Sequence, residues 1–93
     1  MELSEKKTGE SAPGQIVTTL DRVIPPGTCR VVSVPVPGPV RKRLFALGFV
    51  PGAVVEAVRS APLGDPIEYR VKGYFLSLRK EEARLISVIP GGG

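Results

Sequence analysis

The stretch IEYRVKGYFLSL, Ile67 to Leu78, decides the fold. Its first half alternates, with Ile67, Tyr69 and Val71 on one side and Glu68 and Arg70 on the other. A period of two is the signature of a half-buried strand. Lys72-Gly73 then supplies a two-residue hairpin turn, with Gly at the second central position. YFLSL returns along the first strand. With that loop, Val71 faces Tyr74, Tyr69 faces Leu76 and Ile67 faces Leu78, so one face is wholly apolar or aromatic. A slip of one residue would place charges among them, which specifies the register. The opposite face pairs Glu68 with Ser77 and Arg70 with Phe75, where Phe75 is the apolar exception.

Outward from the hairpin, APLGDP (61–66) reads as a loop and AVVEAVRSA (53–61) as the strand before it. On the other side RKEEARL (79–85) reads as one helical turn and LISVI (85–89) as a final strand. Further upstream, IVTTLDRV (16–23) is a strand end leading into a short turn of helix. TCRVVSV (28–34) is β-branched and reads as a strand, with its inward face ambiguous because Val31 and Val32 are adjacent. The principal helix starts at Pro39, where a missing N–H costs nothing. Val40, Leu44 and Leu47 form its narrow apolar stripe, and Gly48 ends it in a left-handed conformation. Pro51-Gly52 makes the next tight turn.

Strands this short must curl on one another to bury a core. The expected fold is mostly β: a small barrel of about five short strands, one short helix between the first two, and a helical turn before the last. The domain spans residues 16–89. Residues 1–15, MELSEKKTGESAPGQ, read as a polar mobile tail, and residues 90–93, PGGG, as a frayed end.

Composition removes several classes of function. The 93 residues hold no histidine, one cysteine (Cys29) and one methionine. Zinc, copper and haem sites draw on His or several Cys, and hydrolytic triads need a His base. Glu81 and Glu82 are adjacent and cannot turn to one centre, and Asp65 reads as a turn residue. We therefore expect no metal, no cofactor and no enzyme active site. Cys29 is expected to be a small buried hydrophobe in a reducing, cytosolic setting. No apolar run approaches the roughly 20 residues of a membrane span, so direct membrane insertion is not expected. Net charge is +4. The first twenty residues contribute −1 and the remainder +5. Nucleic-acid binding is disfavoured, because Tyr69, Tyr74 and Phe75 are split between faces and form no stacking row.

Three groups of residues present a choice between fold and contact. In the 61–66 loop, Leu63 either caps one end of the barrel or stands out as a docking anchor. Gly64, Asp65 and Pro66 stiffen the loop in either case. Around the helix, Arg41, Lys42 and Arg43 are a solvated face or a basic patch for an acidic partner. Phe49 at the helix exit belongs to the core or to the apolar edge of that patch. Phe75 is either covered by a neighbouring element or exposed beside Arg70 as a mixed aromatic and cationic contact.

LDRVIPPGTCRVVSV (20–34), LFALGFVPG (44–52) and APLGDPIEYRVKGYFLSLRKEEA (61–83) together resemble FeoA domains, in sequence and in order. The resemblance covers roughly Val17 to Ile89. It implies an SH3-like β-barrel and a non-catalytic accessory role in bacterial ferrous iron uptake. It implies a partner, the membrane transporter FeoB, met at its cytoplasmic side, which would hold the protein at the inner face of the membrane. Barrels of this kind also form the C-terminal domain of iron-dependent repressors. The alternative reading is therefore a protein- or peptide-binding regulatory module, including self-association through VPVPGP (34–39).

Overall fold

The computed structural model describes residues 16–91. The expected tail, residues 1–15, and the last two residues of the expected frayed end, Gly92 and Gly93, lie outside the described residues. Strand β1 (Thr18–Thr19) leads into a 3-10 turn (Leu20–Arg22), then β2 (Gly27–Ser33) and α1 (Gly38–Ala46). Strands β3 (Val54–Ser60), β4 (Ile67–Val71) and β5 (Tyr74–Leu78) follow, then α2 (Lys80–Ala83) and β6 (Ser87–Pro90). The strands form one antiparallel sheet in the order β1-β6-β2-β3-β4-β5.

The sheet rolls up without closing, leaving β1 and β5 as its edges. Leu20 after β1, Val88 of β6, Cys29 and Val31 of β2, Val55 of β3, Tyr69 of β4 and Leu78 of β5 share one buried core. A flat sheet could not bring its two outer ends into a common interior. The roll also turns the Tyr69 hydroxyl toward the Leu20 carbonyl at 3.5 Å, across 49 residues of sequence.

The β4–β5 register is the one the alternation demands, from Ile67 opposite Leu78 to Val71 opposite Tyr74. The ambiguity at Val31-Val32 is resolved by an irregularity in the β2–β6 ladder between Val31 and Ser33. An extra residue there resets the phase, so Cys29, Val31 and then Val34 point inward while Val32 does not.

Three expectations need correction. The residue pair Thr18–Thr19 forms a strand of its own, so the described residues hold six strands and the principal helix lies between the second and third of them. The C-terminus stays in the sheet further than composition suggested: Pro90 lies opposite Cys29, and the Gly91 N–H donates to the Thr28 carbonyl at 2.6 Å. The helix stripe is narrower than its spacing implied. Leu44 is fully buried and Leu47 partly so, but Val40 is 40% exposed, because only the last turn of α1 lies against the sheet.

That last turn ends in a Schellman motif. The Gly48 N–H donates to the Phe45 carbonyl at 2.9 Å and the Phe49 N–H to the Leu44 carbonyl at 3.0 Å. Gly48 has φ +110, and a Cβ there would lie 2.9 Å from Cγ of Lys72 and 3.4 Å from Cγ2 of Val71. Helix exit and hairpin tip are therefore in contact at a position that admits no side chain. Gly52 also has positive φ, +91, but open space around it. Gly52→Ala is expected to cost about 1 kcal/mol from backbone strain alone, and Gly48→Ala about 3 kcal/mol because the overlap adds to it. Chemical denaturation of the two variants tests this, and equal losses would show that the helix–hairpin contact is loose.

Candidate protein-docking surface

The 61–66 loop is pinned at three points. The Ala61 N–H donates to the Pro66 carbonyl at 2.9 Å and closes its base. The Gly64 N–H donates to the Ala61 carbonyl at 2.7 Å, a tight turn whose last residue takes φ +89. The Asp65 carboxylate accepts from the Lys80 N–H at 3.0 Å, at the first residue of α2. Leu63 sits at the tip of this closed loop and is 96% exposed. It is not a plug: no part of the core receives it. Two of its neighbours are turn-makers, Pro62 and Gly64, and a third, Asp65, is spent on holding the loop to α2.

The basic residues of α1 divide. Arg43 reaches across to α2 and forms an ion pair with Glu82. Glu82 also accepts from the Arg79 N–H at 3.2 Å, the contact of a glutamate at the third helical position with the residue that precedes the helix. The hydrogen bond from Arg43 is the main reason that the Glu82 carboxyl is held below the usual value, with the Arg79 amide adding to it. Arg41 and Lys42 are exposed and line a shallow concavity of about 440 Å³ with Gly38 and Pro39.

Phe49 leaves the set of contact candidates. The Schellman turn delivers it straight into the interior, where it is 0% exposed and meets Tyr69 edge to face at 6.5 Å and 86°. Phe75, by contrast, is 57% exposed, with the Arg70 guanidinium 5.9 Å from its ring centroid. Arg70 also lies 3.8 Å from Glu56 on β3, so the cation is held between carboxylate and ring.

The structure therefore brings together the loop and the outer face of β5. Pro62 and Pro66 form a groove of about 380 Å³ with Arg59, Ala61, Glu68 and Ser77. Phe75 stands two residues from Ser77 on the same face of the strand. Arg41 and Lys42 are not part of that groove. The VPVPGP segment is used internally in part, since Val34 is buried and Val36 packs on the core. Two structural residues escaped the sequence reading. The Tyr74 hydroxyl donates to the Leu47 carbonyl and ties hairpin to helix exit. Asp65 caps an element 15 residues away, for which no local pattern gives notice.

The buried groups are inert. Cys29 is a buried free thiol, pushed up to about 11 by burial. Burial also raises the Tyr69 phenol, with the charge of Asp21 the next contribution. Among the described residues, no cluster of His, Cys, Asp or Glu is arranged to hold a metal ion, and no helix is long and apolar enough to cross a membrane.

A rolled, unclosed antiparallel sheet of six short strands with a few short helices defines a small SH3-like domain. The FeoA domain model matches residues 18–90, and the chain belongs to the FeoA family, which is associated with ferrous iron transport. It is 38% identical over 88 residues to the Fe(2+) transport protein A/Fe(2+) transporter FeoB fusion protein of Porphyromonas gingivalis. That match covers 95% of this chain and 8% of the fusion, so the chain spans a small part of that relative's length. Iron(II) transport protein A of Clostridium thermocellum superposes with a TM-score of 0.76 at 41% identity, over 82% of this chain and 47% of that one. FeoA of Stenotrophomonas maltophilia, an SH3-domain protein solved with zinc, gives 0.68 at 31% identity, over 76% and 88%. T. acidophilum IdeR shares the fold alone: TM-score 0.70 at 19% identity, over 89% of this chain and 38% of that one.

Asp65→Ala is expected to destabilise the protein by about 1 kcal/mol through loss of the α2 cap, measured by thermal melting. The Arg43–Glu82 pair carries a pH signature. The folded value of Glu82 is depressed, so its contribution is complete above the ordinary glutamate value near 4.5 and is lost as pH falls below it, through the lowered value. Glu82→Gln should remove that part of the acid-side loss and leave stability near neutral pH lower than in the parent. A parallel pH–stability curve for the two proteins would refute the ion pair's role.

Proposed function

We propose that this chain is a non-catalytic accessory module of ferrous iron uptake that binds the cytoplasmic side of a FeoB-type transporter and modulates it. The observation that carries the reading is Leu63, an almost fully exposed leucine on a loop already held in shape by three hydrogen bonds. Such a loop loses little conformational freedom on docking, so more of the apolar burial appears as affinity. Exposed leucines are common singly, but the loop that carries Leu63 also lends Pro62 and Pro66 to a groove that Ser77 of β5 completes, and Phe75 is exposed on the same face of that strand. The fusion of an equivalent domain to the transporter in a relative supports the choice of partner.

The mildly basic surface suits an acidic partner face and would act mainly on the association rate. Leu63, Gly64, Pro66 and Phe75 form the contact, with Arg41 and Lys42 steering it. Arg43 and Asp65 act at one remove, because their side chains are engaged with α2.

The test is titration of the chain against the transporter's cytoplasmic region. Leu63→Asp should leave the melting temperature within about 1 °C of the parent, since the side chain is outside the core. The same variant should weaken binding roughly 30-fold, the loss typical of an interface anchor. Unchanged affinity would remove Leu63 from the interface. Absence of binding by the parent chain in every nucleotide state of the transporter would remove the partner.

A further inference from the structure

Sheet edges expose unpaired N–H and C=O groups, and folded proteins guard them by shortness, charge, proline or bulges. The two edges of this sheet differ sharply. β1 is two residues long and runs at once into a 3-10 turn. β5 has five residues, YFLSL, with no charge and no proline, and it pairs with β4 without any shift of register. Tyr74 and Phe75 on it are exposed.

The hairpin turn fixes which backbone groups of β5 are open. Lys72 and Gly73 both take positive φ, 53° and 83°, as a type I′ turn requires. The flanking pair Val71–Tyr74 then exchanges both ladder bonds, and pairs alternate from there. Tyr74, Leu76 and Leu78 point their backbone groups at β4. Phe75 and Ser77 point theirs away from the sheet, and their side chains stand on the outer face, where Ser77 lines the Pro62–Pro66 groove.

We propose that an extended segment of an acidic partner polypeptide adds to β5 as a further strand, bonding to the backbone of Phe75 and Ser77. Charge selects this occupant. Lys72 precedes the strand and Arg79 and Lys80 follow it, all exposed. A second copy pairing antiparallel about Leu76 would set Lys72 of one chain against Lys80 of the other at both ends, and like charges placed opposite are destabilising. A segment with an apolar, β-branched centre and carboxylates at its ends meets cations instead. Alternate side chains of the added strand would reach the groove and the exposed face of Phe75. The identity of the partner rests on the docking function proposed above, whereas the mode of binding rests on the edge itself.

The experiment uses the ¹⁵N-labelled full chain with two ligands in turn. One is the cytoplasmic region of the transporter. The other is a synthetic peptide of alternating Val and Thr with paired glutamates at each end. Amide exchange at Phe75 and Ser77 should slow at least about tenfold on saturation, while Tyr74, Leu76 and Leu78, already bonded to β4, change little. Ser77→Pro removes an edge N–H that serves no ladder bond, so it should fold and bind roughly tenfold more weakly. If that variant does not fold, the peptide N-methylated at its edge-facing amides replaces it and should fail to bind. Protection at Phe75 and Ser77 with either ligand supports strand addition. Protection with the peptide and no binding of the transporter region upholds the edge and sinks the partner. Transporter binding that leaves both amides unprotected and is indifferent to Ser77→Pro overturns strand addition and leaves the docking function standing. Protection that rises with protein concentration in the absence of ligand assigns the edge to a second copy and overturns the proposal.

Discussion

The burial of Tyr69 is the constraint on which the rest of the structure depends. An open sheet of six strands has no ladder between its first and last strands, so something else must hold it rolled. Tyr69 stands on β4, packs edge to face on Phe49 from the helix exit, and turns its hydroxyl toward Leu20 beside β1. A large amphipathic ring in the centre brings three separate parts of the chain to one place. The hydroxyl contact is long, and the ring's apolar burial matters more than the bond. Phe49 reaches that ring because the Schellman turn at Gly48 reverses the chain over the hairpin tip. Thus the hairpin, the helix exit and the N-terminal turn stand or fall together.

With the interior committed in this way, the surface is free to differ from place to place. Polar contacts outside the core mostly brace one element against another: Arg43 with Glu82, Asp65 with the start of α2, Tyr74 with the Leu47 carbonyl. These contacts fix the attitude of α1, α2 and the 61–66 loop relative to the sheet. Their individual contributions are modest at exposed sites. Their effect is positional, and it leaves Leu63 and Phe75 projecting from a stiff frame. The family match begins at the first residue of β1 and ends at the last of β6, so the unit that the family shares coincides with the sheet itself.

The sequence by itself determined the hairpin, its register, the end of the helix at Gly48 and the absence of any histidine. Each rests on local chemistry: alternation for the strand, positive φ for the turns, residue type for what can bind a metal. It also set out the contact candidates, without dividing them. That division was tertiary. Whether Leu63 plugged the barrel or stood clear depended on where the loop was tied, and the tie is an aspartate capping a helix 15 residues on. Phe49 and Phe75 are the same residue type, yet one is fully buried and the other mostly exposed. A strand's period tells which residues share a face, but not which face the chain rolls inward. The strand of Thr18–Thr19 and the pairing of Pro90 were likewise hidden, because both exist only through partners distant in sequence.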